Sequence, residues 1–327
     1  MADYKGIKGF TIPSVSSDPD NLITGQIWYN STSATLKGRV EGFSVGTWSS
    51  GGALNAARSH NGACGTKSAG LYFGGSPGPM ALTETYDGSS WTEVGDLNTG
   101  RIFGSGIGTN TAALYVGGEG PPLEKTETWN GTAWTEVAAL NTARAKRGGF
   151  GVSTSALVFG GGDYPTLTVD TEQWNGTSWS EVNNLNVAIG STGGAGTTSA
   201  GLQIGGEGET GSGTKTALTE DWNGTSWTET GDLNTARGEM VSAGSSPSSA
   251  LAYGGNAPPG VAVTEHFNGT SWTEVADLAT ARRAFGNFQA ASTAMIAGGN
   301  DNSPPGSNIP TATEEWSNEA TVTVTTS

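Results

Sequence analysis

A unit of 43 to 49 residues repeats along this chain, and no other feature limits its fold so tightly. Four landmarks recur in fixed order. An outer Trp stands at Trp48, Trp91, Trp134, Trp179, Trp227 and Trp272, and six residues after each comes Leu54, Leu97, Leu140, Leu185, Leu233 or Leu278. That Leu opens an LNTAR-like phrase ending in Arg58, Arg101, Arg144, Arg237 and Arg282, with Ile189 in the fourth copy. Gly pairs follow, beginning at Gly74, Gly117, Gly160, Gly205, Gly254 and Gly298, and then Glu84, Glu127, Glu172, Glu220, Glu265 and Glu314, each preceded by Thr. A unit this short cannot bury its own apolar face, so copies must stack on one another.

Inside a copy the period is two. The third reads as four strands, KRGGFGV, SALVFG, VDTEQW and SWSEV, separated by Gly, Asn and Pro. Four antiparallel strands in each of six copies predict an all-β fold, a six-bladed β-propeller. Composition agrees. Only 34% of residues are hydrophobic, but 53 glycines bring the apolar-plus-Gly share to the ordinary globular level. A net charge of -15 argues against nucleic acid and anionic membrane surfaces as partners. The single cysteine, Cys64, allows no internal disulfide. The start MADYKGIKGF has no apolar core of a signal peptide and no apolar run has transmembrane length, so neither secretion by that route nor membrane insertion is expected.

The phrase WNGTSWTEV and its variants read as construction. Asn-Gly suits a two-residue type I′ hairpin, which would set Glu127 opposite Trp134, whereas a four-residue loop would set it opposite Glu136. The first register is expected, because it avoids facing like charges. In either one Trp129 and Trp134 share a face. The Asn-X-Thr sequons at Asn30, Asn130, Asn175, Asn223 and Asn268 follow from turn chemistry and need carry no sugar. A buried Glu in every copy requires a partner, and the recurring Arg is the candidate. At Ile189 a substitute donor or water must serve. First strands such as NGACG and FGSGIG are built of small residues, as crowding at a propeller axis requires, and Cys64 there is expected as a small buried hydrophobe.

Two strands compete to complete the last copy, one around Trp48 and one in NEATVTVTTS, and closure by the Trp48 strand fits the Trp pattern better. Loops between second and third strands differ most among copies, which marks them for recognition, with Tyr164, Glu207, Lys215, Asn256 and Asp301 as candidate residues. Enzyme chemistry finds little support. His60 and His266 read as separate surface residues, no His, Cys and carboxylate group has metal-ligand spacing, and the Gly pairs lack the Lys-Ser/Thr of a phosphate cradle. Asp301 beside Asn300 and Asn302 lacks EF-hand spacing for Ca²⁺. No cofactor, metal or catalytic residue is expected.

The Gly pair after an aliphatic strand, the Glu and aromatic that follow, and the Trp beyond them resemble Kelch repeats over more than four fifths of the chain. That resemblance implies a propeller. The resemblance extends to galactose oxidase-like enzymes, but a single Cys and two His make a copper site of that type implausible. The first 46 residues differ, and GQIWYNSTSATLKGRV reads as a hairpin containing Trp28, Tyr29 and Lys37. This segment resembles the N-terminal part of tailed-phage virion proteins, particularly of marine cyanobacterial phages, where WNGTSWTEV-like repeats also occur. The resemblance implies a virion protein of tail or capsid surface. Residues 1–46 would attach to other virion proteins, and residues 47–327 would form a propeller able to meet a host-surface glycan or protein. The other reading is a bacterial Kelch-like module that binds a glycan or protein.

Overall fold

A computed structural model describes residues 12–19, 23, 25–41, 46–120, 123–162, 165–208, 213–257, 261–283, 286–288, 291–301 and 309–323. Among the described residues it is all-β apart from one 3₁₀ turn at Ala291–Thr293, and the chain falls into two compact units. One runs to Thr47 and takes in Ser317 onward, and the other is Trp48–Trp316.

In the first unit β1 (Ser14–Val15) pairs parallel with β2 (Ile27–Asn30), which pairs antiparallel with β3 (Thr35–Glu41). The C-terminal strand Glu319–Thr323, grouped with the repeats in the sequence reading, pairs with β3, with Thr321 opposite Arg39. It covers backbone groups that β3 would otherwise leave as an open edge.

The second unit begins with β4 (Thr47–Gly51) and continues as four-stranded antiparallel sheets: β5–β8 (Gly62–Thr66, Ala69–Phe73, Thr83–Tyr86, Trp91–Glu93), β9–β12 (Ser105–Gly108, Ala113–Val116, Thr126–Trp129, Trp134–Val137) and β13–β16 (Gly148–Val152, Ser155–Phe159, Thr171–Trp174, Trp179–Glu181). Next come β17–β20 (Gly193–Thr197, Ala200–Glu207, Lys215–Trp222, Trp227–Glu229) and β21–β24 (Val241–Ser246, Ser249–Tyr253, Thr264–Phe267, Trp272–Glu274). The sixth copy departs from four strands in one sheet. Its first strand β25 (Gly286–Phe288) pairs parallel with β21, while β26 (Met295–Ala297), β27 (Thr313–Ser317) and β4 make a sheet of three. The outer place beside β27 is thus held by the Trp48 strand.

Successive first strands lie side by side, β5 by β9, β9 by β13, β13 by β17, β17 by β21, β21 by β25, and β25 by β5. They approach so closely that a Cβ on Gly106 would come within 2.6 Å of the Ala63 backbone. This explains the run of small residues there. Each core cluster spans two sheets: Cys64, Leu71, Phe73 and Leu97 of the first copy pack with Ala113, Tyr115, Trp129 and Trp134 of the second. Cys64 has no exposure, and burial pushes its thiol pKa up.

The hairpin register differs from expectation. Trp129 faces Trp134 across a four-residue loop, and Glu127 faces Glu136. Only Gly131 takes the left-handed conformation (φ +95°), because the Asn130 side chain closes the turn itself, Oδ1 accepting from the N–H groups of Thr132 (3.0 Å) and Ala133 (2.9 Å). The feared repulsion is cancelled. Glu127 is held by Arg101 at 2.9 Å, and Lys125 reaches the half-exposed Glu136 at 2.7 Å.

Candidate functional site

The linker between sheets explains the LNTAR phrase residue by residue. Leu97 N–H donates to Ala81 O at 3.0 Å, fixing the linker to the sheet it leaves. Asn98 then gives its backbone N–H and its side-chain amide to Glu127 Oε2, both at 2.8 Å, and Arg101 gives Nη2 to Oε1 at 2.9 Å, fixing the linker to the sheet it enters. The same ion pair joins Arg58 to Glu84 (3.0 Å), Arg144 to Glu172 (3.1 Å), Arg237 to Glu265 (2.5 Å) and Arg282 to Glu314 (2.6 Å). The Asn is a partner the sequence reading missed, although it stands next to the Leu in five copies, at Asn55, Asn98, Asn141, Asn186 and Asn234. The linker after β4 behaves like the others: Leu54 N–H donates to Thr311 O at 2.8 Å, and Asn55 and Arg58 engage Glu84.

Two residues beyond Arg58, Arg101, Arg144, Ile189 and Arg237 the chain does something the sequence concealed. His60, Phe103, Lys146, Ser191 and Glu239 all have φ between 51° and 58°, a conformation that non-Gly residues seldom take. Each of the last four donates its backbone N–H to the carbonyl of its predecessor, at 2.8, 3.0, 2.6 and 2.8 Å in turn. These bonds run from sheet to sheet and hold the five unlike side chains together at the start of the first strands. His60 packs on Phe103 with ring centres 4.5 Å apart, and Lys146 Nζ lies 4.7 Å from the Phe103 ring centre. His60 Nε2 is 3.8 Å from Glu239 Oε2, which also pairs with Arg283 at 3.1 Å. Burial works to raise the Glu239 pKa, but His60 and Arg283 outweigh it and leave the carboxyl below its ordinary value. His60 is therefore a half-buried member of a cluster, not a separate surface residue. At the other end of the first strands lies a largely apolar cavity of about 350 Å³, bounded by Ile107, Phe150, Val152, Ala195 and Phe288.

The described residues expected to recognise a ligand are held by contacts within the frame. Glu207 and Lys215 pair with each other where β18 ends and β19 begins, so their charges cancel. Asn256 forms a backbone bridge to Gly238, as Glu207 does to Gly190, which ties the loops to the linkers. Asp301 is half-buried, and Tyr164 lies outside the described residues. In the other unit Trp28 is fully buried and donates its indole N–H to Asp18 at 3.0 Å, while Lys37 meets the same carboxylate at 2.6 Å. Lys37, Asn30 and Trp28 together hold the Asp18 pKa down to about 2. Trp28 and Lys37 thus build the sheet, and Tyr29 beside them is half-buried.

His266 is half-buried next to Ser249, and burial lowers its pKa to about 4. The unfolded chain takes up this proton near pH 6.5 and the folded chain only near pH 4, so stability falls as pH drops through that window and levels off below it. Replacement by Gln, which stands at the equivalent Gln173, should flatten that part of the profile in urea titrations from pH 7 to pH 4. An unchanged slope would show that His266 does not drive it.

Among known proteins, no family model matches the chain and no curated protein matches it.

Proposed function

We propose that the repeats close into a six-bladed, Kelch-like β-propeller and that the protein is a structural component of a tailed-phage virion, on the tail or the capsid surface. The propeller reading is supported by the bonds that treat the first linker as the one between the sixth and first sheets, Leu54 to Thr311 and Asn55 to Glu84. They suit a ring with no free edge sheet. The attachment role falls to the unit built on β1, β2, β3 and Glu319–Thr323, whose segment GQIWYNSTSATLKGRV resembles phage virion proteins. A rigid frame with its variable residues gathered in one place suits display and recognition of a host-surface glycan or protein.

One observation carries the recognition part of this reading. On a frame whose Trp, Leu, Gly and Glu positions repeat, His60, Phe103, Lys146, Ser191 and Glu239 differ in every copy yet are joined through one chain of backbone bonds. Mass spectrometry of gradient-purified virions should find peptides from both units in stoichiometric amounts. Their presence only in the lysate would end the proposal. On such virions Lys146→Glu should slow adsorption to host cells while particle yield stays normal, and unchanged adsorption would leave the cluster a purely structural role.

A further inference from the structure

The fourth copy lacks the guanidinium that the other five have, and its replacement is incomplete. Ile189 fills the Arg position, fully buried. Gln203 assumes one duty of the missing side chain, donating to Gly205 O at 2.7 Å as Arg101 does to Gly117 O at 2.8 Å. It does nothing for the charge. Glu220, 1% exposed, accepts from Asn186 N–H (3.0 Å), Asn186 Nδ2 (2.6 Å) and Val187 N–H (3.3 Å), all of them neutral donors. Among the described residues the five sister glutamates each have an Arg within 3.1 Å, and Glu220 forms no ion pair. Glu229 stands directly opposite it in the ladder, so two carboxylates face each other without a cation.

A cavity of about 390 Å³ opens at this place, bounded by Asn186, Val187, Leu218, Glu220, Trp227 and Glu229 among others. Its apolar wall is open to solvent, with Val187 41% exposed. We propose that this cavity receives an arginine side chain from a partner protein, its guanidinium between Glu220 and Glu229 and its methylenes against Val187 and Leu218. Glu220 occupies the position at which its five sisters hold a guanidinium, and the facing Glu229 adds a second carboxylate at the cavity. A hard metal ion fits less well. It would need six or more oxygens, whereas the wall is partly apolar and both Glu220 oxygens already accept N–H groups. The net charge of -15 would draw a basic partner toward the protein. This site stands or falls independently of the virion role.

The test is a titration of the ¹⁵N-labelled full chain with N-acetylarginine amide, followed by NMR at the Trp227 indole and Val187 amide resonances. Saturable shifts are expected. The uncharged isostere N-acetylcitrulline amide should give none at the same concentrations. Ile189→Arg combined with Gln203→Val rebuilds the third copy, where Arg144 and Val158 stand, and should abolish the response by occupying the site internally. Glu229→Gln, a change at an exposed position, should weaken it severalfold and serves where the double variant does not fold. No saturable shift, an equal response to citrulline, an undiminished response in Glu229→Gln, or saturation by Ca²⁺ and not by the arginine amide would overturn the proposal.

Discussion

Arg101→Ala is expected to destabilise the repeat unit by about 3–5 kcal/mol, the range for breaking a buried ion pair from one side. Arg101 and Glu127 have no exposed surface. Besides its bond to Glu127, the guanidinium donates to Gly117 O at 2.8 Å and Lys125 O at 2.7 Å, and it lies 4.5 Å from the Tyr115 ring centre. Removing it strands a carboxylate and two carbonyls at once. For a unit of this size each kcal/mol shifts the melting temperature by about 2–4 °C, so a fall on the order of 10 °C should appear in calorimetry. Lys125→Ala supplies the contrast. Its pair with Glu136, which is 56% exposed, is worth under about 1 kcal/mol, and the melting temperature should barely move. Glu127→Gln added to Arg101→Ala should recover part of the loss, because the stranded charge is then gone. A loss below about 1 kcal/mol for Arg101→Ala would mean that the linker arginines do not hold adjacent sheets together.

The second large effect concerns closure. Trp134 in the second copy donates its indole N–H to Thr83 Oγ1 of the first at 2.9 Å, and Trp272 in the fifth does the same to Thr219 of the fourth at 3.2 Å. Trp91 in the first copy donates to Thr313 of the last at 3.1 Å, and also to Gly52 O at 3.0 Å. Its ring packs 4.8 Å from Tyr86, whose hydroxyl reaches Glu315. Trp48 completes the series by bonding Thr264 at 3.1 Å and packing 4.8 Å from Tyr253 and 5.4 Å from Trp316. A closed ring therefore makes Trp91→Ala and Trp134→Ala equally costly, about 3–5 kcal/mol each for loss of a buried Trp. In an open array Trp91 would lie on an end sheet, and its loss would be much the milder of the two. Urea denaturation of both variants decides the matter.

Much of this architecture is legible in the sequence because its landmarks do one physical job in every copy. Trp and Leu pack between sheets, Gly and Ala let the first strands approach, and, with the exception of the fourth copy, Glu with Arg joins linker to sheet. The errors arose where a decision depends on residues distant in sequence. Facing Glu127 and Glu136 looked costly only while the Arg101 and Lys125 that neutralise them were out of view. The contacts of Trp28 and Lys37 with Asp18 could not be read either, because Asp18 lies ten and nineteen residues away from them in the chain. The C-terminal strand could not be assigned because an alternating Thr-Val run fits any open edge, and the β3 edge is far away in the chain. The cluster of His60, Phe103, Lys146, Ser191 and Glu239 left no compositional trace, since its members share a backbone conformation and not a residue type. Its only sequence signal was position, two residues past the linker Arg.

Hydrogen exchange at the Thr47–Gly51 strand of the intact chain tests the closed ring most directly. Its outer place beside β27 predicts that these amides exchange as slowly as those of the outer strand Trp134–Val137 and lose protection together with the other sheets as urea is raised. Exchange at the rate of an unpaired segment, while Trp134–Val137 remains protected, would contradict closure by the first strand.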